Sequence, residues 1–211
     1  MMAAVDGREQ FLGLINVSRE TLERLDIYAA LLKKWNPAIN LVGKSTIQTL
    51  WTRHFLDSAQ VFRISKANSG HWVDIGTGGG FPGLVVAAMA KDATPEIAFT
   101  FVESDLRKAT FLRTAAMDMG LAINVVSKRI EDIPSLSADV LSARALASVT
   151  DLLGYAEHHL NPKGRALFLK GATVDQEVTE ALETWSFQSE EYRSMTETTG
   201  VILSIGDIRR V

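Results

Sequence analysis

Five glycines fall within eight residues at 76–83, and this run limits how the chain can fold more than any other feature. An apolar pair, Trp72-Val73, precedes it and is typical of a buried strand, while the apolar segment 84–90 that follows is typical of a helix. Glycine has no Cβ atom to keep a ligand from the backbone, and it permits turns with positive φ. The free amides at the start of the helix point towards the same loop. The pattern therefore predicts a Rossmann-like sheet that binds a nucleotide-bearing cofactor at the carboxyl ends of its strands.

Acidic residues beside the glycine run bear on which cofactor is bound. The string 78–83 matches G-x-G-x-x-G, so a dinucleotide remains an alternative. A carboxylate at Asp74 would lie near the ligand, where it would repel a pyrophosphate and suit the sulfonium and ammonium of S-adenosylmethionine. The loop also continues into Phe81-Pro82, beyond the usual dinucleotide pattern. Glu103, which ends the next predicted strand, would accept hydrogen bonds from both ribose hydroxyls of either cofactor.

Strand and helix patterns alternate after residue 67 and predict an α/β fold with a mostly parallel sheet. The predicted strands are 72–75, 98–103, 123–127, 139–145 and 165–171, and the predicted helices are 82–91, 106–119, 149–160 and 174–185. Two further strand-like segments, 186–195 and 201–208, have no helix between them and predict an antiparallel hairpin at one edge of the sheet. We expect residues 67–211 to form one cofactor-binding domain.

The first part of the chain, 1–66, predicts an N-terminal helical extension. Apolar positions keep a helical period from Leu22 until Asn36-Pro37 ends the first helix, and a second amphipathic helix covers 47–62. The whole chain has a net charge of −3, but residues 27–72 carry six basic side chains against one acidic one, Asp57. This excess fits a solvated helical face and a docking surface for phosphates equally well.

The composition excludes several classes of site. The chain has no cysteine, so cysteine nucleophiles, thiolate metal ligands and disulfides are all excluded. The four histidines lack the spacing of metal-binding motifs, and we expect no metal. No segment contains 18 consecutive apolar residues, so we expect a soluble, cytoplasmic protein that does not enter a membrane.

Several motifs together resemble the bacterial small-subunit rRNA guanine-N7 methyltransferases of the GidB/RsmG type. The resemblance covers nearly the whole chain, and the R-H-x-x-D-S element at 53–58 together with the glycine run is its most specific part. The other matching motifs are Trp35-Asn36, Ile39-Asn40-Leu41, Val102-Glu103-Ser104, Lys108, Phe111-Leu112, 127–131, 142–145 and 169–171.

The resemblance implies a class I S-adenosylmethionine-dependent methyltransferase fold. It also implies methylation of N7 of one guanine in the decoding-region loop of 16S rRNA, so the expected partner is this RNA or the small ribosomal subunit, and we expect a monomer. In the family, residues that match Gly76, Phe81, Ile130, Glu131 and Arg144 hold the cofactor. With the residues argued above, the predicted cofactor site comprises Asp74, Gly76, Gly78, Phe81, Gly83, Glu103, Ile130, Glu131 and Arg144.

Guanine N7 has an in-plane lone pair and carries no proton, so its methylation requires positioning and no general base. Arg144, where the fourth strand ends, would hold the cofactor carboxylate or donate to guanine O6. His54 and Asp57 lie one turn apart in the N-terminal extension, residues 1–66, which we call the leader. They would position the substrate or form a buried hydrogen-bonded pair. The predicted RNA contacts are Lys33, Lys34, Lys44, Arg53 and Lys170. The alternative is a small-molecule methyltransferase on the same fold, with the leader as a substrate lid.

Overall fold

A computed structural model describes residues 7–211 of the chain. The helices are α1 (Gly7–Leu14), α2 (Arg19–Ile39), α3 (Leu56–Ser65), α4 (Gly83–Ala93), α5 (Leu106–Asp118), α6 (Val149–His159) and α7 (Val174–Ala181). The strands are β1 (Gly70–Ile75), β2 (Ile97–Val102), β3 (Ile123–Val126), β4 (Ala138–Arg144), β5 (Leu160–Lys170), β6 (Trp185–Arg193) and β7 (Val201–Arg210). Most predicted elements are present, although the helix predicted at 174–185 already ends at Ala181 because the chain turns there into β6.

The seven strands form one sheet in the order β3-β2-β1-β4-β5-β7-β6. The first five are parallel, and β7 runs antiparallel to both β5 and β6. This is the predicted α/β arrangement with an antiparallel edge hairpin. The chain leaves β1 towards β2 on one side and later returns to β4 on the other. The carboxyl ends of β1, β2 and β4 therefore border a crevice at the point where the strand order reverses, which is where such sheets bind ligands.

Helices cover both faces of the sheet because side chains along each strand alternate between the faces. Trp72 and Phe101 belong to the core on the face covered by α4 and α5. Their neighbours Val73 and Val102 belong to the core on the opposite face, beneath α6. The parallel strands are thus buried on both sides, which explains their continuous apolar character.

The leader is helical in its described part, and residues 1–6 lie outside the described residues. Its first long helix does not end at Asn36-Pro37 as predicted but continues to Ile39, and Asn40 ends it with φ of 48°. Proline removes only one backbone donor there, close to the helix end, so the helix tolerates it. The Asn36 side chain instead accepts a hydrogen bond from Val42 N at 2.9 Å, which fixes the chain after the helix.

The second predicted leader helix, 47–62, is three segments in the structure. A 3₁₀ helix covers Lys44–Thr49, a π-helical turn covers Leu50–Phe55, and α3 follows from Leu56. Apolar periodicity predicted one continuous helix because it does not distinguish an α-helix from short 3₁₀ or π-helical segments.

The leader and the sheet share one hydrophobic core. Leader residues such as Phe11, Leu25 and Tyr28 are fully buried in the same cluster as Trp72 of β1. The Tyr28 ring stacks on Phe55 with centroids 5.3 Å apart. The division into 1–66 and 67–211 therefore separates two secondary-structure patterns that are packed as one body.

Candidate active site

The glycine loop, residues 76–83, joins β1 to α4 at the carboxyl edge of the sheet. Gly76 N donates to Val102 O at 2.9 Å, which ties the loop to the end of β2. Gly76, Gly78 and Gly80 have φ of 60°, 53° and 99°. Residues other than glycine rarely adopt these φ angles, so the loop conformation depends on glycine at these three positions.

The leader packs against the inner side of this loop. Tyr28 OH donates to Gly79 O at 2.5 Å, and burial raises the pKa of this phenol well above its ordinary value, so it remains a donor. A Cβ atom at Gly79 would lie 2.7 Å from Leu41 O, and one at Gly80 would lie 2.5 Å from Tyr28 OH. At Gly78, by contrast, a Cβ atom would meet only Gly76 O, at 3.7 Å. The loop therefore has a packed side and an open side, and a ligand can approach the backbone at Gly78.

Glu103 lies beside the open side of the glycine loop. Its Oε2 accepts a hydrogen bond from Gly78 N and its Oε1 accepts one from Asp105 N, both at 2.8 Å. These two amides fix the carboxylate between the loop and the start of α5. Each oxygen retains a lone pair, so the group can still accept hydrogen bonds from ribose hydroxyls. The carboxylate and the open loop together fit the adenosyl part of S-adenosylmethionine.

Asp74 lies beneath the glycine loop, and its contact with the cofactor stays a prediction. It is fully buried, and its Oδ1 accepts a 2.5 Å hydrogen bond from Ser142 Oγ in β4. Its Oδ2 faces the start of α4, where a Cβ atom at Gly83 would lie 2.8 Å away. Alternation along β1 places Asp74 on the same face as Trp72, beneath the loop. Burial raises the pKa of Asp74 to about 7 although hydrogen bonds from Ser142 and Thr77 oppose the shift. Asp74 and Gly83 thus support the loop from below.

Arg144 and His54 both contact Phe81, which ends the glycine run. The Arg144 guanidinium lies 5.8 Å from the Phe81 ring centroid, and the His54 ring stacks on Phe81 at 4.9 Å. Arg144 Nη1 is buried and has no hydrogen-bond partner among residues 7–211. The structure therefore brings the predicted residues Arg144, His54 and Phe81 together at one side of the crevice.

His54 and Asp57 do not form the hydrogen-bonded pair that was one of the two predicted possibilities. His54 Nε2 lies 2.9 Å from Thr46 Oγ1, whereas Asp57 Oδ1 accepts from Ser194 Oγ at 2.7 Å and from Thr196 Oγ1 at 2.8 Å. The two residues lie on either side of the change from π-helix to α3, which alters their angular spacing. Burial, then the charges of Arg144 and Arg53, lower the pKa of His54 to about 3, so the ring is neutral at pH 7.

The β6–β7 loop, residues 194–200, contributes to the site and was not predicted to do so. Glu197 in this loop forms an ion pair with Arg53 of the leader. Gln60 of α3 also holds the loop, because its side chain donates to Arg193 O at 2.7 Å and accepts from Met195 N at 3.0 Å. A cavity of about 260 Å³ lies between this loop, α3 and the end of β4, and Arg144 lines it. The sequence of the loop is typical only of a turn, so it carries no signal of this contribution.

Comparison with known proteins identifies the family. The family described as GidB, rRNA small subunit methyltransferase G, matches residues 21–205. This chain belongs to that family. It is 52% identical over 197 residues to "Ribosomal RNA small subunit methyltransferase G" of Ruegeria sp. (strain TM1040), which covers 93% of this chain and 96% of the relative. An equally named protein of Ruegeria pomeroyi is also 52% identical over 197 residues, with the same coverage. The predicted family is therefore confirmed.

The fold is also that of a solved methyltransferase. A crystal structure described as a SAM dependent methyltransferase from Aquifex aeolicus superposes with a TM-score of 0.59 at 11% identity, and covers 84% of this chain and 97% of that one. At this identity the likeness concerns the fold alone. It confirms the predicted class I, Rossmann-like architecture.

The basic residues predicted to bind RNA in this GidB-family protein differ in their surroundings. Lys33, Lys34 and Lys44 are exposed on the leader, and Arg53 is partly exposed in its pair with Glu197. Lys170 is different, because only 10% of its side chain is exposed. Its ammonium contacts Glu177 at 2.5 Å and donates to Ala147 O at 2.9 Å. Lys170 is therefore not part of the exposed basic surface of the leader.

Two further predicted cofactor residues lie in the 3₁₀ turn after β3. Ile130 is buried in the core beneath α6. Glu131 Oε1 accepts a hydrogen bond from Tyr155 OH at 2.7 Å, which lowers the pKa of Glu131 and raises that of Tyr155 to about 12. The Glu131 side chain is thus bound to α6, and its assignment to the cofactor stays a prediction.

Between residues 7 and 211, no helix has the length and apolar character needed to cross a membrane. The same residues contain no cluster of three or more histidine, aspartate or glutamate side chains that could hold a metal ion.

Proposed function

We propose that this protein transfers a methyl group from S-adenosylmethionine to N7 of one guanine in 16S rRNA. The observation that carries the proposal is the position of Glu103, held by Gly78 N beside the open side of the glycine loop, with Arg144 across the crevice on Phe81. Membership of the rRNA small subunit methyltransferase G family supports the choice of RNA as substrate. The partner would be 16S rRNA or a small-subunit intermediate in the cytoplasm, and the protein would act as a monomer.

Each of the cofactor-binding residues would contact a different part of the ligand. Glu103 would accept hydrogen bonds from the ribose hydroxyls, and the backbone at Gly78 would allow the ligand to approach closely. Arg144 would bind a carboxylate or the guanine O6, since its buried guanidinium has a free donor. S-adenosylmethionine, when bound, supplies a methyl group on a sulfonium that needs no further activation.

The surroundings of His54 suit a reaction that removes no proton. Guanine N7 attacks with a lone pair, and the product ring is cationic. A neutral His54 adds no positive charge beside that ring, and a pKa of about 3 keeps it neutral. Its stacking on Phe81 instead fixes the wall of the pocket. His54 and Asp57 therefore act as positioning residues in this proposal.

The packing of the leader favours RNA over a small-molecule substrate. A lid would have to leave the crevice, but Tyr28 is fully buried and bound to the glycine loop. The leader instead presents the exposed Lys33, Lys34 and Lys44, which suit phosphates.

The proposal is tested by comparing 16S rRNA from cells that contain this protein with rRNA from cells that lack it. Mass spectrometry of nuclease fragments should reveal one guanine that carries a methyl group on N7 only in the first sample. Identical modification of both RNAs, or a missing methyl group on another atom, would contradict the proposal.

A further inference from the structure

The cavity beside Arg144 holds a balanced set of charges. The ion pair of Lys170 with Glu177 lines one part of it. Arg53 and Arg144 contribute two further positive side chains, and Asp57 and Glu197 contribute two further carboxylates. Burial lowers the pKa of Arg144, and the two carboxylates oppose this shift. We name these four residues, with Ser194, the recognition pocket. Arg144 connects it to the glycine loop through Phe81, so a base in this pocket would lie next to the cofactor crevice.

Glu197 lies in the β6–β7 loop, and its backbone is fixed by hydrogen bonds on both sides. Its amide donates to Ser194 Oγ at 3.1 Å, and its carbonyl accepts from Gly200 N at 3.1 Å. Ser194 Oγ in turn donates to Asp57 Oδ1, so the leader fixes the loop that carries Glu197. The Glu197 side chain is about one-third exposed, although its Oε1, which pairs with Arg53, is buried; the Arg53 side chain is 45% exposed. A ligand can therefore take the place of this exposed arginine without disturbing the loop.

The chemistry of the pocket matches one nucleobase. Guanine carries two adjacent donors, N1–H and N2–H₂, on its Watson–Crick edge, and a carboxylate accepts from both at once. Its adjacent Hoogsteen edge carries O6 and N7, which accept from arginine. A pocket with a carboxylate and an arginine thus suits guanine, while adenine offers an acceptor at N1 and would face the carboxylate unfavourably.

We propose that Glu197 is the residue that selects the target guanine by accepting hydrogen bonds from its N1–H and N2–H₂ groups. Asp57 acts as a positioning residue, because it holds the loop through Ser194 and Thr196. This inference rests on the proposed methylation of guanine in rRNA. The carboxylate also offsets the charge of Arg144 when the base becomes cationic on methylation.

The test compares single-turnover methylation of RNA that carries guanine or inosine at the mapped target nucleotide. Inosine keeps N7, O6 and N1–H but lacks the N2 amino group. The wild-type protein should methylate inosine RNA about 10- to 100-fold more slowly, the loss expected for one hydrogen bond to a charged group. Equal rates on both RNAs would overturn the role of Glu197 without any variant.

Two variants sharpen this test. Glu197→Gln should lower the rate on guanine RNA and reduce the guanine-to-inosine ratio towards one, with S-adenosylhomocysteine affinity unchanged as evidence of folding. Glu191→Gln, the same change at an exposed position of β6, should keep the wild-type ratio. An unchanged ratio in Glu197→Gln would overturn the inference while the proposed function stands. Failure of the wild-type protein to methylate guanine RNA would instead overturn both.

The positioning role of Asp57 has its own readout. Asp57→Ala should reduce the guanine-to-inosine ratio because the loop loses its anchor. Asp57→Asn should restore the ratio, since its amide oxygen still accepts from Ser194 and Thr196. A ratio equally reduced in both variants, or unchanged in both, would contradict this role.

Discussion

Two loops border the active site, and they are built in different ways. The glycine loop at 76–83 takes its shape from its own residues, three of which have positive φ. The β6–β7 loop at 194–200 takes its position from distant side chains, above all Asp57, which lies 137 residues before Ser194. A local sequence motif therefore determines the conformation of the first loop, whereas tertiary contacts determine the position of the second. In the proposed function, the first loop belongs to a cofactor half of the site and the second to a substrate half, and we expect changes in the two halves to have separate effects.

The largest expected effect is in the cofactor half. Gly78→Val should reduce S-adenosylhomocysteine binding below detection, because a branched side chain would occupy the open side of the loop at a φ of 53°. The backbone strain should also lower the free energy of unfolding by about 1–2 kcal/mol. Isothermal titration calorimetry and thermal unfolding measure the two effects. Gly206→Val is the matched control, since a Cβ atom there meets nothing within 4 Å. Normal binding by Gly78→Val would argue against this loop as the cofactor site.

Arg144 joins the two halves, and its removal should affect methyl transfer more than any other single change outside the glycine loop. Arg144→Ala should lower the single-turnover rate by about 100-fold, as expected for loss of a donor that orients the reacting groups. Arg144→Lys should recover little, because lysine lacks the planar donor pair. A single-turnover rate in Arg144→Ala within a few-fold of the wild-type rate would show that methyl transfer does not depend on Arg144.

A change at Glu103 tests whether cofactor binding can be weakened without an effect on RNA binding. Glu103→Ala should weaken S-adenosylhomocysteine binding by about 1–3 kcal/mol, the scale for lost hydrogen bonds to a charged group. RNA binding should remain unchanged. Glu96→Ala, at an exposed position before β2, serves as the control and should bind the cofactor normally. Weaker RNA binding in Glu103→Ala would contradict the separation.

The leader lysines test the substrate half from the outside. Lys33→Glu combined with Lys34→Glu should weaken RNA binding by about 10-fold at moderate salt and reduce its salt dependence, because fewer counterions are released. Filter binding across a salt series measures both. The control replaces Lys163 and Arg209 by Glu. Both are exposed, and they lie at the start of β5 and the end of β7, away from the carboxyl ends of the parallel strands. Equal losses in the two proteins would indicate a general charge effect and no docking surface.

The smallest expected effect is that of pH on the chemical step. With RNA and cofactor saturating, the single-turnover rate should change by less than about 3-fold between pH 6 and 9, because no base must lose a proton. His54 stays neutral throughout, since its pKa of about 3 lies below this range. Burial raises the pKa of Asp74 to about 7 beneath the glycine loop, so we expect cofactor affinity to change with pH where the saturated rate does not. A tenfold rise per pH unit, lost in His54→Ala or Asp57→Ala, would indicate that a proton is removed from the target.

The sequence predicted which residues meet at the glycine loop better than which residues meet around the β6–β7 loop, for physical reasons. Gly76, Gly78 and Glu103 lie at the ends of adjacent strands, so topology alone brings them together. Asp74 shows the limit of this reasoning, because its distance along the strand did not reveal that it points beneath the loop. The contribution of Glu197 could not be predicted, since only the fold brings it to Arg53.

Local helix geometry was also beyond the sequence pattern. The π-helical turn at Leu50–Phe55 leaves the apolar period nearly intact but changes where His54 and Asp57 point. The alternative in which His54 and Asp57 form a hydrogen-bonded pair assumed a regular α-helix, which the chain does not form there.

The most direct test of the account is methyl transfer by the purified protein to small-subunit RNA from cells that lack it. Borohydride reduction followed by aniline cuts an RNA chain at 7-methylguanosine, so the product reports the methylated atom as well as the position. The account predicts one methyl group per RNA and one cut, at a single guanine. Methyl incorporation without a cut, or cuts at many guanines, would contradict it.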